Sequence, residues 1–394
     1  MRQVIEALPT SKIREVADAA LGRDDVLAFW FGESDEVTPG FIREAAMRSL
    51  AEGETFYSHN LGLPELREAL ARYTSSLHPA VGADRFAVTS SGVNALMLAM
   101  QMLAGAGDEV VAVVPVWPNI AAQPAILGAR VVRFSLRVEA GAWRLDLEAL
   151  RRTVTARTRV LLVNSPNNPS GWTFSREEQR AVLAHCRSTG TWIVADEVYE
   201  RIFFGASAPG SDRVEAELSP AAPSFLDIAD ADDRLIVVHS FSKSFLMTGW
   251  RLGWLVHPPG LAAAFAKLIE FNTSCAPVFV QRAGLAALAQ AETFVPGLVE
   301  RLRVCRDTLL PRLAAIPGVS VAVPPGGLYA FFSVEGERDS LVLAKRLVSE
   351  AGLGLAPGAA FGAESEGWLR WCFASRDPAR LNEGAERLRH FLRL

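Results

Sequence analysis

The segment SFSKSFLMTGWRLGW, residues 240–254, places Lys243 three residues beyond the apolar run RLIVVHS, which has the composition of a buried strand. An amine at the end of such a strand, among apolar neighbours, loses hydration and with it some preference for the charged form. A neutral lysine amine attacks carbonyl carbon and forms a Schiff base. Arg251, eight residues on, offers a fork suited to a phosphate dianion, with the hydroxyls of Ser240 and Ser242 as further donors.

Four other places carry candidate chemistry. In TWIVADEVYE, Asp196 directly follows a buried strand, where an unpaired carboxylate is costly and a cationic partner is needed. In TSSGVNAL, Ser91, Gly92 and Val93 stand at a helix N-terminus, whose free N–H groups and dipole favour an anion. NSPNNPSG is a Pro/Asn turn after a strand and contains Asn168. In WLRWCFAS, Leu369, Trp371 and Phe373 share one strand face, so Arg370 projects from the other with Trp368 and Cys372. A buried arginine needs an anion, and either a protein carboxylate or the α-carboxylate of an amino acid fits its fork.

These residues have to be positioned by something, and between about residues 84 and 256 helix-like and strand-like segments alternate. VNALMLAMQML (93–103) is a buried helix; VVAVV, the run 159–163, TWIVA (191–195) and RLIVVHS are buried strands. Ser175 with Glu178 forms a capping box that opens a helix, and Gly190 closes it. Such alternation predicts a mostly parallel sheet with helices on both faces. Residues 261–313 are helical and Ala-rich, with interruptions expected at Pro277 and Pro296. Short strands and helices at 340–351 and 378–394 complete a smaller α+β unit. The glycines Gly105 and Gly107 end a helix and precede a strand, the reverse of a dinucleotide-binding turn.

Composition narrows the class further. The 394 residues are 50% hydrophobic and 21% charged, so a disordered chain is excluded. No apolar stretch is long enough for a membrane helix, and the N-terminus MRQVIEALPTSKIREV carries charges through what would be a signal peptide's apolar core. The 4 cysteines form no C-x-x-C pair and the 6 histidines no H-E-x-x-H spacing, so no metal is expected. A net charge of −4 argues against nucleic acid. A cytoplasmic protein is expected.

The Lys243 segment resembles the cofactor-lysine motif of the class I/II (fold type I) aminotransferases, which use pyridoxal 5'-phosphate: Ser, a small residue, Lys, then Gly-x-Arg-Leu-Gly at the family's spacing. Leu246 departs from it, since a small residue is commoner there. The resemblance spans about residues 11 to 394. It implies a Schiff base at Lys243, phosphate contacts from Ser240, Ser242 and Arg251, and a phosphate cradle at Ser91, Gly92 and Val93. It further implies that Trp117 stacks on the pyridine ring, Asp196 pairs with the ring nitrogen and Tyr199 hydrogen-bonds the ring oxygen. Asn168 lies near that oxygen and the substrate carboxylate, which Arg370 holds, and Gly32 lets backbone approach the substrate. Tyr57 reaches the phosphate in a partner's site, which makes the active unit a homodimer. Lys243, Asp196 and Tyr199 are the catalytic candidates.

The implied architecture is the type I fold of pyridoxal-phosphate-dependent transferases, an α/β design. A cofactor-binding domain spans 49–290, a small domain 291–394, and residues 1–48 join the small domain. The implied reaction moves the amino group of an L-amino acid to a 2-oxo acid by a ping-pong mechanism. The same constellation serves C–S β-lyases. Pyridoxal-phosphate-binding regulators share the domain too, but a match beginning near residue 11 leaves no room for their DNA-binding module. Phe31, Trp117 and Tyr329 are expected to suit aromatic or large apolar substrate side chains.

Overall fold

A computed structural model describes residues 1–205 and 220–393. Its larger unit is built on a seven-stranded sheet in the order Phe86–Thr89, Gly253–Val256, Leu235–Ser240, Trp192–Asp196, Thr158–Asn164, Glu109–Val114, Arg130–Ser135. Neighbours are parallel except at Gly253–Val256, which runs antiparallel to both strands beside it. The strands read as continuous apolar runs because helices cover both faces, so neither side needs polar residues. Gly92–Leu103 and Ala262–Asn272 pack on one face, and Arg176–Thr189 and Val278–Ala289 belong to the core on the other.

Helix Arg176–Thr189 shows how closely local chemistry sets these boundaries. Ser175 Oγ accepts from the Glu178 N–H while the Glu178 carboxylate accepts from Ser175 N–H, and Gly190 ends the helix in the left-handed conformation at φ 74°. Pro277 lies between two helices as expected, but Pro296 does not interrupt anything: Ala291–Ala314 is one helix containing Pro296 and Pro311. Pro296 is the sixth residue, so its missing N–H removes one intrahelical bond, to Glu292 O, and burial of Val295 and Leu298 on either side keeps the helix continuous.

That helix bridges the two units. Ala291 and Val295 pack in the core of the large sheet, whereas Leu298 to Leu313 pack in the small one. The small unit has an antiparallel sheet in the order Val319–Val321, Tyr329–Val334, Trp368–Cys372, Ala356–Pro357. Helices Ser340–Ala351 and Pro378–Phe391 cover it, and Leu27–Ala28 pairs in parallel with Leu353–Gly354. Residues 13–30 thus lie with the small unit through Ile13, Val16, Phe29 and Trp30, whereas the short helix Gln3–Glu6 packs on Pro118–Ile126 of the large unit. Helix Gly40–Ala51, much of which falls within the segment expected to join the small unit, instead buries Ile42 and Ala46 in the large core.

Three parallel strands end at one edge of the large sheet with Asn164, Asp196 and Ser240. The antiparallel strand starts there, with Gly253 paired to both Ser240 and Thr89. This is the edge where open α/β sheets bind ligands. No helix of the described residues is long and apolar enough to cross a membrane. Replacing the capping residue, Ser175→Ala, should lower unfolding stability by about 1 kcal/mol. Urea denaturation measures it, and an unchanged midpoint would show that the cap contributes nothing.

Candidate active site

Between that sheet edge and the small unit lies a cleft of about 1140 Å³. Lys243, Asp196, Tyr199, Asn168, Ser240, Ser242, Arg251, Arg370, Gly32, Trp117, Gly92 and Val93, distant in sequence, all line it. Lys243 Nζ donates to the Gly32 carbonyl at 2.7 Å and lies 5.6 Å from the Tyr199 ring centroid. Burial lowers its pKa to about 8, so the neutral amine is populated near neutral pH. A side chain at Gly32 would overlap the Tyr329 hydroxyl, which is why backbone can come so close here.

Asp196 is buried, and its carboxylate accepts a 3.3 Å bond from the Val198 N–H. Burial pushes its pKa up to about 7, and it has no ion pair among the described residues. A protonated ring nitrogen would supply the missing partner. Tyr199 and Tyr329 share a hydroxyl hydrogen bond of 2.6 Å, and burial holds the Tyr199 phenol well above its usual value.

One end of the cleft is built largely from backbone. Helix Gly92–Leu103 points its first N–H groups into it, and those of Gly92 and Val93 have no partner within the helix. A Cβ at Gly253 would come within 2.5 Å of Gly92 N, and one at Gly92 within 3.2 Å of Ser240 Cβ, so both glycines keep the cradle open. Arg251, in the left-handed conformation at φ 54°, donates to Thr248 O at 2.6 Å and lies 3.4 Å from Ser242 Oγ. It too lacks a carboxylate among the described residues. Helix dipole, N–H groups, hydroxyls and an unpaired guanidinium together fit a phosphate.

Two expected cofactor contacts stand apart. Ser91 is the helix cap, with its hydroxyl accepting from Asn94 N–H at 3.1 Å, and it does not line the cleft. Tyr57 is 87% exposed and lies outside the cleft.

Arg370 is 2% exposed. It donates to Asn168 Oδ1 at 2.9 Å and to the Trp30 carbonyl, while its Nε has no partner. The rings of Tyr329 and Phe361 stand 4.5 and 4.8 Å from its guanidinium carbon. Among the described residues no carboxylate pairs with it, so the charge is held by carbonyl oxygens and aromatic faces with its anion still to come. Tyr329, expected to wall the pocket for apolar side chains, is therefore committed to Tyr199 and Arg370.

Reasoning from sequence passed over several supports. Asn164 accepts from Asn168 N–H at 2.7 Å and donates to Asp196 O at 3.0 Å, tying two site residues together. It lay in the quoted NSPNNPSG run but carried no signal of its own. Behind the Asp196–Tyr199 turn, Glu200 bonds His78 at 3.1 Å and His239 at 3.5 Å, and His78 also bonds Asp227 at 2.8 Å. Only tertiary structure joins these positions.

A model of the family described as "Aminotransferase class I and II" matches residues 26–388. The chain belongs to that family. This aminotransferase is 34% identical over 390 residues to a probable aspartate/prephenate aminotransferase of Aquifex aeolicus, covering 97% of this chain and 94% of the relative. It is 32% identical to an aspartate aminotransferase of Pyrococcus horikoshii, over 93% of this chain and 90% of that one. The crystal structure of an aspartate aminotransferase from Thermotoga maritima matches it with a TM-score of 0.89 and 30% identity over 100% of both chains. The aminotransferase fold expected from the sequence, a mostly parallel sheet with a smaller α+β unit, is thus shared with solved members of the family.

The network behind the site makes a pH-dependent contribution to stability. Burial alone would lower the His78 pKa, but the Asp227 and Glu200 carboxylates outweigh it and raise it to about 10. A histidine pKa raised on folding stabilises fully below the unfolded value of 6.5, and that contribution fades as pH rises through 10. His78→Gln should therefore cost about 3 kcal/mol at pH 6. The deficit should shrink steadily toward pH 10; denaturant titrations across that range that give a constant deficit would refute a charged His78.

Proposed function

We propose that this aminotransferase works with pyridoxal 5'-phosphate held by Lys243 in the cleft, and that Arg370 binds the α-carboxylate of the amino-acid and 2-oxo-acid substrates. The observation that carries the reading is the buried Arg370 guanidinium, turned into the cleft with no carboxylate partner among the described residues. The cofactor, when bound, supplies an electron-withdrawing ring that stabilises negative charge at the substrate α-carbon.

In this reading Gly92, Val93, Ser240, Ser242 and Arg251 hold the phosphate, and Ser91 acts by capping the helix that presents the N–H groups. Asp196 keeps the ring nitrogen protonated, which its burial without a cationic partner favours. Tyr199 donates to the ring oxygen and Trp117 covers the ring face. Arg370 and Asn168 orient the substrate so that its Cα–H faces Lys243 Nζ. The Lys243 amine, its pKa lowered to about 8, accepts that proton as general base. Asn168 is fixed for this by Asn164 on one side and Arg370 on the other.

The cofactor belongs in this reading to the domain of residues 49–290, with 291–394 and the N-terminal segment supplying the substrate's carboxylate site. The functional unit is a homodimer in which Tyr57 reaches the partner's phosphate. Phe56 and Tyr57 are 83% and 87% exposed, and bonds from Ser58 N–H to Cys275 and from Asn60 to Ala266 hold their loop against the helix that carries Phe271, itself 87% exposed. Aromatic surface of this kind suits burial against a second copy. The enzyme is assigned to the cytoplasm, whose reducing conditions suit its four free cysteines.

Lys243→Ala should abolish both half-reactions. Arg370→Met should lower kcat/KM for every amino-acid substrate by roughly a hundredfold or more, as expected for loss of one partner of a buried charge pair. Steady turnover of an amino acid without a 2-oxo acid, with pyruvate and ammonia released, would instead indicate a β-lyase. Tyr57→Phe should leave the dimer intact in sedimentation but raise the cofactor dissociation constant several-fold, which dialysis against apo-protein measures. A monomeric wild type would remove the Tyr57 role.

A further inference from the structure

Tyr199 follows the large sheet's strand Trp192–Asp196, and Tyr329 opens the small sheet's strand Tyr329–Val334. Their hydroxyls nevertheless meet at 2.6 Å, and both side chains are buried. Backbone bonds hold the pair in place. Ile202 N–H donates to Tyr199 O at 2.8 Å, Gly327 N–H to Ile202 O at 2.9 Å, and Phe204 N–H to Pro325 O at 2.8 Å. The segment leaving Tyr199 is thus stitched to the segment entering Tyr329. Gly326 permits the approach, since a Cβ there would lie 2.9 Å from Ile202 O.

The reaction outlined above uses the Tyr199 hydroxyl but gives that of Tyr329 no part. Tyr329 Oη makes no other hydrogen bond among the described residues, and a side chain at Gly32 would overlap it. The charged and titratable groups facing the pair are Arg370 and Cys372 on the neighbouring strand, Asp196 at the sheet edge, and Lys243, 5.6 Å from the Tyr199 ring centroid. The Arg370 guanidinium stands over the Tyr329 ring at 4.5 Å, and a cation so placed strengthens the phenol as a donor. A phenol has one proton to give and lone pairs that accept. Once Tyr199 gives its proton to the cofactor's ring oxygen, the short bond between the tyrosines can run only from Tyr329 to Tyr199.

We propose that Tyr329 is a positioning residue for the reaction: its hydroxyl donates to Tyr199 Oη, fixes the direction of the Tyr199 proton and strengthens the bond that Tyr199 donates to the ring oxygen of pyridoxal phosphate. Hydrogen bonds in a chain polarise one another, so losing the first weakens the second. Negative charge on the ring oxygen is then less stabilised, and the proton that the bound cofactor carries beside that oxygen is held more tightly. The proposal rests on the reading that puts the cofactor in this cleft with Tyr199 at its ring oxygen.

The test follows the visible absorbance of the holoenzyme against pH in the wild type, in Tyr329→Phe, in Tyr199→Phe and in the double variant. Tyr329→Phe keeps the ring over Arg370 and removes a single oxygen. Its midpoint should lie above that of the wild type by roughly 0.3–0.7 pH units, about a two- to fivefold gain in proton affinity. Tyr199→Phe should raise the midpoint further. The double variant should titrate with Tyr199→Phe alone, because Tyr329 acts only through Tyr199. A Tyr329→Phe midpoint at or below that of the wild type would overturn the proposal, as would a double variant whose shift is the sum of the single ones. A shift confined to Tyr199→Phe overturns the role of Tyr329 and leaves the cofactor reading standing. No shift in either single variant, or a wild type that takes up no pyridoxal phosphate, overturns that reading and the proposal with it.

Discussion

Arg370 sits in the middle of a strand, shielded from water and facing two carbonyl-type oxygens and two aromatic rings. Burying a guanidinium is costly, and the cost is only partly offset by such neighbours. Much of the surrounding construction follows from this constraint. Tyr329 stacks on Arg370 and bonds Tyr199; Asn168 accepts its N–H and is positioned by Asn164; Asn164 in turn holds the backbone of Asp196. One unsatisfied charge thus links the small unit to the reactive edge of the large sheet. In the proposed reading a substrate carboxylate would complete the set that the fold leaves open.

The same exclusion of water tunes the two titrating groups. Lys243 is brought down toward neutrality and Asp196 brought up to about 7, each by burial. Left to itself, then, the cleft disfavours both charges that the reaction needs in controlled form. In the proposed reading a protonated ring nitrogen would reverse the shift at Asp196, whereas at Lys243 the neutral amine would be the useful species and no reversal is needed. Behind this edge a charged His78 pairs with Glu200 and Asp227, and Glu200 also faces His239, whose pKa burial lowers.

Much of this was legible in the chain because it depends on local order. The capping box at Ser175, the stop at Gly190, and the strands that end at Asp196 and Ser240 are encoded within a few residues of where they occur. Lys243 and Arg251 are separated by one loop, so their joint purpose shows in a single segment. The misreadings came where a local rule met a longer element. Pro296 lies early in a helix that bridges both cores and is tolerated there. Helix Gly40–Ala51 follows a segment that packs with the small unit, yet its own apolar residues pack with the large one. Tyr329, legible only as an aromatic side chain, turned out to be held by a hydroxyl and a guanidinium.

By itself the order of residues determined which side chains could bear the chemistry and on which kind of element each would stand, because periodicity, caps and turns act over a handful of positions. Tertiary structure alone decided which charges would be left without partners. Arg370 and Asn168 lie 202 positions apart, and Arg14 meets Phe31 because helix Lys12–Asp18 docks on the small unit. Whether a buried charge is satisfied depends on every element packed around it, and no local pattern records that sum.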